Sequence, residues 1–170
     1  MTQGIIGCTL PAHPGALQET RMQMSTPTEE RVHSIGGVEI NVRVFPPAGR
    51  ARAAVVICHG VNSHGGQYLW PAGQLAMAGL ATFALDLRGR GKSGGRRYYV
   101  DDVAEYVADV AAVIGLAKSR HPGLPVFLLG HSAGGVVSAS YALDHGPEIA
   151  GLVCESFAFK VPAPDPVLAL

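Results

Sequence analysis

The pentapeptide GHSAG at 130–134 joins an apolar strand to a helical segment within the sequence VFLLGHSAGGVVSASYALDH. A residue at so abrupt a strand-to-helix turn takes a strained backbone conformation, which costs on the order of 1–3 kcal/mol. Gly130 and Gly134 remove the side chains that would hold the strand and the helix apart. The hydroxyl of Ser132 would then project from the carboxyl edge of a sheet, where it can act as a nucleophile.

A serine that attacks a carbonyl carbon also needs hydrogen-bond donors for the oxyanion that forms. The N–H of Ala133, in the first turn of the helix, is one expected donor. The segment HGVN at 59–62 follows another apolar strand, and the N–H of Val61 is the expected second donor. We interpret His59 as a brace for this loop and not as a catalytic base.

Apolar strands alternate with helical segments along most of the chain. The strands are AAVVIC at 53–58, ATFALDL at 81–87, VFLL at 126–129 and AGLVC at 150–154. Strands without polar alternation are buried on both faces, as in parallel sheets. The sequence therefore predicts the α/β class, with a mostly parallel sheet and helices on both faces. Upstream, alternating residues around Gly36 and Gly37 predict an antiparallel pair.

Three helices are expected between these strands. They run from about residue 68 to 78, from 101 to 120, and from Ser132 to about 146. The second helix has an apolar face that consists of Val103, Val107, Val110, Ile114 and Ala117. We predict that this face packs against the sheet.

The domain limits follow from composition. Residues 1–28 lack periodicity and are interpreted as a flexible N-terminal extension. Residues 29–160 form the α/β domain. The proline-rich segment 161–170 is interpreted as the start of a truncated lid or linker. We expect the sequence to be the N-terminal part of a longer protein, with a fold that is incomplete at the C-terminus.

The composition excludes several classes of function. The formal net charge is zero and no run of like charges occurs, so nucleic acid is not an expected partner. The apolar stretches are shorter than the roughly 20 residues of a membrane helix. The N-terminus lacks the pattern of a secretory signal. Cys58 and Cys154 end apolar strands and are expected to be buried free thiols. These features predict a cytoplasmic globular protein.

Two further patterns suggest cofactors, and both fail on context. The segment GRGKSG at 89–94 has the spacing of a dinucleotide-binding loop, but no helix opens directly on its glycines, and Asp86 stands where a phosphate loop needs glycine. We interpret it as a turn that Asp86 ties down, with Arg88, Arg90 and Lys92 partly solvated. The histidines and cysteines lack metal-ligand spacing. No metal or organic cofactor is predicted.

Three motifs together resemble a known family. They are HGVNSHGGQY at 59–68, LDLRGRGKSGG at 85–95 and LLGHSAGG at 128–135. In this order they resemble the α/β-hydrolase superfamily, and specifically its monoacylglycerol lipase and lysophospholipase-like branch, over residues 31–160.

The resemblance implies an enzyme and assigns its residues. It makes Ser132 the nucleophile and the backbone N–H groups of Val61 and Ala133 the oxyanion hole. It implies hydrolysis of carboxylic esters, typically monoacylglycerols or lysophospholipids, through an acyl-enzyme and without a cofactor. The expected partner is a small ester or lipid, with transient contact to a membrane surface as a further possibility. The oligomeric state is not predicted.

The sequence departs from the branch in its catalytic acid and base. The branch orders its triad as Ser, Asp and His, with a lid before the last two, and this sequence ends where that lid would begin. Asp144 and His145 follow Ser132 by about 18 Å of helix, at about 1.5 Å per residue, and cannot reach its hydroxyl. Glu155 stands where some α/β-hydrolases place the acid, and its alternative is a loop or lid-base carboxylate.

Two hypotheses of different classes remain open. The first is a serine ester hydrolase, of which this chain alone is expected to be incomplete and inactive. The second is a non-catalytic α/β-hydrolase-like binding or interaction protein. Aromatic residues could contact an acyl chain in either case, or could pack under loops; they are Tyr68, Trp70, Tyr98 and Tyr99.

Overall fold

The computed structural model describes residues 26–157. A six-stranded sheet with the order β1-β2-β4-β3-β5-β6 runs through them. The strands are β1 (Thr28–His33), β2 (Glu39–Phe45), β3 (Ala53–Cys58), β4 (Leu80–Leu85), β5 (Val126–His131) and β6 (Gly151–Glu155). β1 pairs with β2, and β2 with β4, in antiparallel fashion, and all other pairs are parallel. This confirms the predicted sheet and its antiparallel front pair.

Helices cover both faces of the sheet, as predicted. They are α1 (Leu69–Met77), α2 (Val103–Arg120) and α3 (Ala133–His145). On β3, Val55 and Ile57 pack in a cluster with α1, whereas Val56 and Cys58 pack in a second cluster with α2 and α3. The alternation of side chains along an apolar strand therefore builds two cores, one on each face.

The ends of the sequence fall largely outside the structure. Of the predicted extension over residues 1–28, only the last three residues are described, and Thr28 already begins β1. The predicted lid or linker segment at 161–170 lies outside the described residues. Within residues 26–157, no helix is long and apolar enough to cross a membrane.

The predicted apolar face of α2 is wrong at its first residue. Val103 is 47% exposed. It lies in the first turn, where Asp102 caps the helix by accepting a hydrogen bond of 2.8 Å from the N–H of Ala104. Instead, the acidic Asp109 is fully buried on the inner face together with Val110. A carboxylate in that place requires a partner.

Arg88 is this partner, and the prediction that Arg88 is partly solvated is wrong. Arg88 is 5% exposed, and its Nη2 lies 2.8 Å from Oδ1 of Asp109. The backbone N–H of Arg88 also donates to Oδ2 of Asp109 over 2.9 Å. The same guanidinium contacts Glu105 on α2 and Ser34 in the β1–β2 connection. The loop after β4 is thereby tied to α2, while Lys92 remains exposed as predicted.

The two cysteines of the described residues differ in burial. Cys58 is buried in the core, and burial raises the pKa of its thiol to about 12. Cys154 is exposed, so its prediction as a core thiol is wrong. It lies on β6, which is the edge strand of the sheet in the described residues. Of the helices, α3 packs on this strand, whereas α1 packs against β4 and β2.

The buried ion pair supplies a test of what holds the loop after β4. We expect Asp109→Ala to lower the free energy of unfolding by about 3 kcal/mol, because it leaves the Arg88 guanidinium buried without its main partner. Glu105→Ala removes the more exposed partner of the same guanidinium and should cost about 1 kcal/mol or less. Urea denaturation of both variants measures the difference. Equal losses would contradict the assignment of Asp109 as the main partner.

Candidate active site

Ser132 occupies the predicted strand-to-helix turn. Its φ is 53° and its ψ is −121°, a conformation that a residue with a side chain rarely adopts. β5 ends at the preceding residue and α3 begins at the following one. The N–H of Ser132 donates to the carbonyl of Glu155 over 2.9 Å, which ties the turn to the end of β6. The strained backbone predicted from the GHSAG motif is confirmed.

Two glycines make this turn possible by allowing backbone segments to touch. A Cβ at Gly130 would lie 2.5 Å from the carbonyl oxygen of Gly134 and 2.6 Å from Oγ of Ser138. A Cβ at Gly134 would collide with the carbonyl oxygens of Cys58 and His59. The first turn of α3 therefore presses directly on the end of β3. This contact places Ser132 beside the loop that follows β3.

That loop is in contact with the turn. A Cβ at Gly60 would lie 3.1 Å from Cβ of Ser132 and 3.2 Å from the carbonyl oxygen of His131. A side chain at this position would require its neighbours to shift by a few tenths of an ångström. Val61, the next residue, is exposed beside Ser132 and lines the same cavity.

The His59 side chain fixes the orientation of this loop. The N–H of Leu87 donates to Nε2 of His59 over 3.0 Å, so the ring proton sits on Nδ1, which donates to the Gly60 carbonyl over 2.8 Å. In a trans peptide the N–H points opposite to the C=O. Because the Gly60 carbonyl faces the buried ring, the N–H of Val61 faces the open side. The predicted bracing role of His59 is confirmed, and burial lowers the pKa of the ring.

Asp86 anchors the loops beneath the site. It is fully buried, and its carboxylate lies 2.7 Å from Nη1 of Arg43. It also accepts hydrogen bonds of 2.7 Å from the N–H of Gly65 and 2.8 Å from the N–H of Lys92. These contacts connect the loop after β3 to the turn at 89–94. The prediction that Asp86 ties down this turn is confirmed.

A cavity of about 410 Å³ opens in front of Ser132. Both polar and apolar groups line this cavity, which we call the polar cavity because most of its lining residues carry a polar side chain; the lining residues are Gly60, Val61, Asn62, Ser63, Gln67, Tyr68, Pro71, His131, Ser132 and Glu155. Within these walls the Tyr68 hydroxyl lies 2.7 Å from Nδ1 of His131, and Nε2 of His131 lies 3.4 Å from Oε2 of Glu155. No sequence pattern predicts this chain of contacts. Its only sequence signal is that Tyr68 and His131 lie in the same motifs as the oxyanion loop and the serine.

A second, smaller cavity of about 90 Å³ lies on the other side of Val61. It shares Gly60 and Val61 with the first cavity and adds Ala133 at the start of α3. Its remaining walls are mostly apolar, consisting of His59, Leu87, Arg90, Tyr106, Gly134 and Val137. The two predicted oxyanion donors therefore lie where a polar and an apolar cavity meet.

The other predicted residues lie at different distances from the site. Tyr68 is in the cavity wall, whereas Trp70 and Tyr98 are exposed on the surface. His145 stacks on Tyr141 and contacts Glu148 beyond the C-terminal end of α3, so it is remote from Ser132, as predicted. In residues 26–157 there is no group of three or more His, Cys, Asp or Glu side chains that could hold a metal ion.

The sheet order, the helices on both faces and the strained turn before α3 define an α/β-hydrolase. Residues 49–170 match the model of a hydrolase family described as serine aminopeptidase, S33. The chain belongs to this family.

Similar proteins of known sequence include lipases. A monoacylglycerol lipase from Mycolicibacterium smegmatis is 39% identical over 132 residues, which cover 78% of this chain and 47% of the relative. The monoglyceride lipase of Homo sapiens is 35% identical over 135 residues, which cover 78% of this chain and 45% of the relative. The phospholipase YtpA of Bacillus subtilis is 36% identical over 110 residues, which cover 64% of this chain and 42% of the relative. The chain thus spans about half the length of the curated relatives it matches.

Solved structures share the fold. An epoxide hydrolase from Vigna radiata superimposes with a TM-score of 0.69 at 25% identity, over 86% of this chain and 46% of that one. A thermostable carboxyl esterase from Bacillus coagulans gives a TM-score of 0.68 at 24% identity, over 76% of this chain and 44% of that one. The predicted α/β-hydrolase fold is confirmed.

The close contact of α3 with β3 can be tested at a single glycine. We expect Gly134→Ala to lower the free energy of unfolding by about 2–3 kcal/mol, because the added methyl group meets backbone oxygens that cannot move aside. The matched control is Gly115→Ala in the exposed middle of α2, where an added Cβ meets nothing within 4 Å. This change should raise stability by about 0.5–1 kcal/mol. Thermal melts of both variants check the opposite signs.

The buried ring of His59 predicts a pH dependence of stability. Its pKa in the folded protein is lowered, so below pH of about 6.5 the unfolded chain takes up a proton that the folded chain does not. Stability from this residue is complete above that pH and falls on acidification, by up to about 1.4 kcal/mol per pH unit, until the folded ring also protonates. Urea midpoints between pH 7.5 and 5 should therefore fall less steeply in His59→Gln. Parallel curves would exclude His59 as the source.

Proposed function

We propose that Ser132 is the nucleophile of a serine hydrolase that cleaves carboxylic esters of the monoacylglycerol or lysophospholipid type. The observation that carries this proposal is the positive φ of 53° at Ser132, at the mouth of a cavity. Such strain is retained where the surrounding structure enforces it, and it is common at active sites. Here the glycine contacts enforce it, and the strained residue is the one with a nucleophilic hydroxyl.

In this mechanism Oγ of Ser132 attacks the ester carbonyl carbon and gives its proton to a general base. The carbonyl oxygen becomes an oxyanion and accepts hydrogen bonds from the N–H groups of Val61 and Ala133. Collapse of the tetrahedral intermediate breaks the bond to the alcohol, which leaves with the proton from the base. The acyl group remains on Oγ as an ester. Water then repeats the attack and releases the carboxylic acid and the free serine.

The general base is not one of the histidines that flank the site. Both ring nitrogens of His59 are engaged, by the N–H of Leu87 and the carbonyl of Gly60. The ring of His131 contacts Tyr68 and Glu155. We therefore propose that the base and the acid that orients it come from outside the described residues. The order of serine, acid and histidine implied by the family resemblance supports this arrangement.

The ester substrate is proposed from two kinds of support. Monoacylglycerol lipases and a phospholipase are among the similar proteins. The polar cavity and the small apolar cavity also lie on opposite sides of Val61, which suits an ester with a polar alcohol and an apolar acyl chain.

A fluorophosphonate probe tests the nucleophile directly. We expect the probe to label the full-length protein, in which the proposed base activates the serine, and to lose at least about 95% of its labelling in Ser132→Ala, because a phosphonate forms its bond with an activated serine oxygen. Ser140→Ala, on the same helix, is the matched control and should label like the wild type. Mass spectrometry of the labelled peptides identifies the modified serine.

The outcomes separate the two hypotheses. Labelling that persists in Ser132→Ala would overturn the assignment of the nucleophile. A full-length protein that folds and binds a lipid ester but never labels would support the non-catalytic binding protein instead.

A further inference from the structure

The polar cavity carries a negative charge beside Ser132. Glu155 is the only acidic or basic side chain, apart from His131, among the lining residues that the structure describes. Its side chain is 61% exposed, so a molecule in the cavity can reach the carboxylate. Its backbone carbonyl accepts the hydrogen bond from the N–H of Ser132. The carboxylate is therefore fixed to the same turn that carries the hydroxyl.

The Glu155 carboxylate has two polar neighbours, and neither is a lysine or an arginine. The hydroxyl of Ser156 donates to Oε1 over 2.7 Å, and Nε2 of His131 lies 3.4 Å from Oε2. Tyr68 contacts Nδ1 of the same ring over 2.7 Å. Within residues 26–157, Glu155 forms no ion pair with lysine or arginine.

The guanidinium of Arg90, which lines the neighbouring apolar cavity, contacts groups other than Glu155. Nη1 of Arg90 donates to Oδ1 of Asn62 over 3.2 Å, and the guanidinium lies 4.7 Å from the centre of the Tyr98 ring. Arg90 lines the small apolar cavity and not the polar one. Among the described residues that line the polar cavity, the carboxylate of Glu155 is therefore the charged group, whereas Arg90 lines the small apolar cavity and contacts the polar one through Asn62.

We propose that Glu155 is a specificity-determining residue that excludes anionic head groups from this cavity, so that the site takes esters of neutral polyols such as glycerol. An alcohol group of the polyol can donate to the carboxylate, whereas a phosphate in the same place puts two like charges within about 5 Å of each other. Of the two proposed substrate types, the geometry selects monoacylglycerols and rejects lysophospholipids with net negative head groups. The inference rests on the proposed function for the position of the ester over Ser132.

Binding of ethers that cannot be hydrolysed tests this selectivity without turnover. The probes are 1-O-hexylglycerol and its 3-phosphate, and their affinities for the full chain are measured by titration in NMR. We expect the phosphate to bind at least about tenfold more weakly than the neutral ether at low salt. Added salt should narrow this difference, because the carboxylate is partly exposed and is screened.

The variant Glu155→Gln removes the charge and preserves the size of the side chain. It should reduce the difference between the two ethers to about twofold or less, mainly by strengthening the binding of the phosphate. Glu148→Gln is the matched control, since it removes the same charge beyond the far end of α3, and should leave the tenfold difference in place. This control separates a local effect of Glu155 from a change of net charge.

Each result bears on the proposal. An unchanged difference in Glu155→Gln, or a wild-type chain that binds neither ether or both equally, overturns it. Selective binding of the neutral ether together with absent fluorophosphonate labelling would overturn the proposed hydrolysis and leave the selectivity of the cavity standing. Labelling of Ser132 without selective binding would overturn the selectivity of the cavity and leave the proposed hydrolysis standing.

Discussion

The contact of the first turn of α3 with the end of β3 is the constraint on which the site depends. Gly134 lies against the carbonyl oxygens of Cys58 and His59, and Gly60 lies against Ser132 from the opposite direction. A side chain at Gly134 would collide with backbone atoms and force the two segments apart, whereas one at Gly60 would shift its neighbours by a few tenths of an ångström. One set of backbone contacts thus positions the hydroxyl and the loop that is proposed to stabilise the oxyanion.

Buried charges hold this arrangement from below. Asp86 binds backbone N–H groups of two loops, and Asp109 binds both the backbone and the side chain of Arg88. A carboxylate that accepts several N–H donors favours one loop conformation, because any other conformation leaves a buried charge unsatisfied. The loops that form the cavity therefore have polar anchors inside the fold. The outer surfaces of these loops carry cavity residues such as Val61 and Asn62.

The sequence predicts the framework well because its patterns are local. Apolar strands such as AAVVIC and the glycines around Ser132 each act through neighbours a few residues away. Arg88 and Cys154 were predicted wrongly because their burial depends on distant elements. Arg88 is buried by α2, which supplies Asp109, and Cys154 is exposed because β6 lies at the sheet edge of the described residues. The local sequence pattern contains no information about the pairing of Arg88 with Asp109 or about the edge position of β6.

The contact of Tyr68 with His131 shows the same limit within the site, since 63 residues separate the pair. No periodicity relates these positions, and only the fold brings the loop before α1 to the end of β5. The consequence reaches beyond the pair. By occupying Nδ1 of His131, Tyr68 leaves Nε2 to face Glu155, and the carboxylate stays accessible in the cavity. A side chain on the loop before α1 thereby sets the electrostatic character of the wall beside Ser132. The polarity of the cavity is a property of three strand and loop ends that meet, and the charge of Glu155 can act on a ligand because no lysine or arginine within residues 26–157 pairs with it.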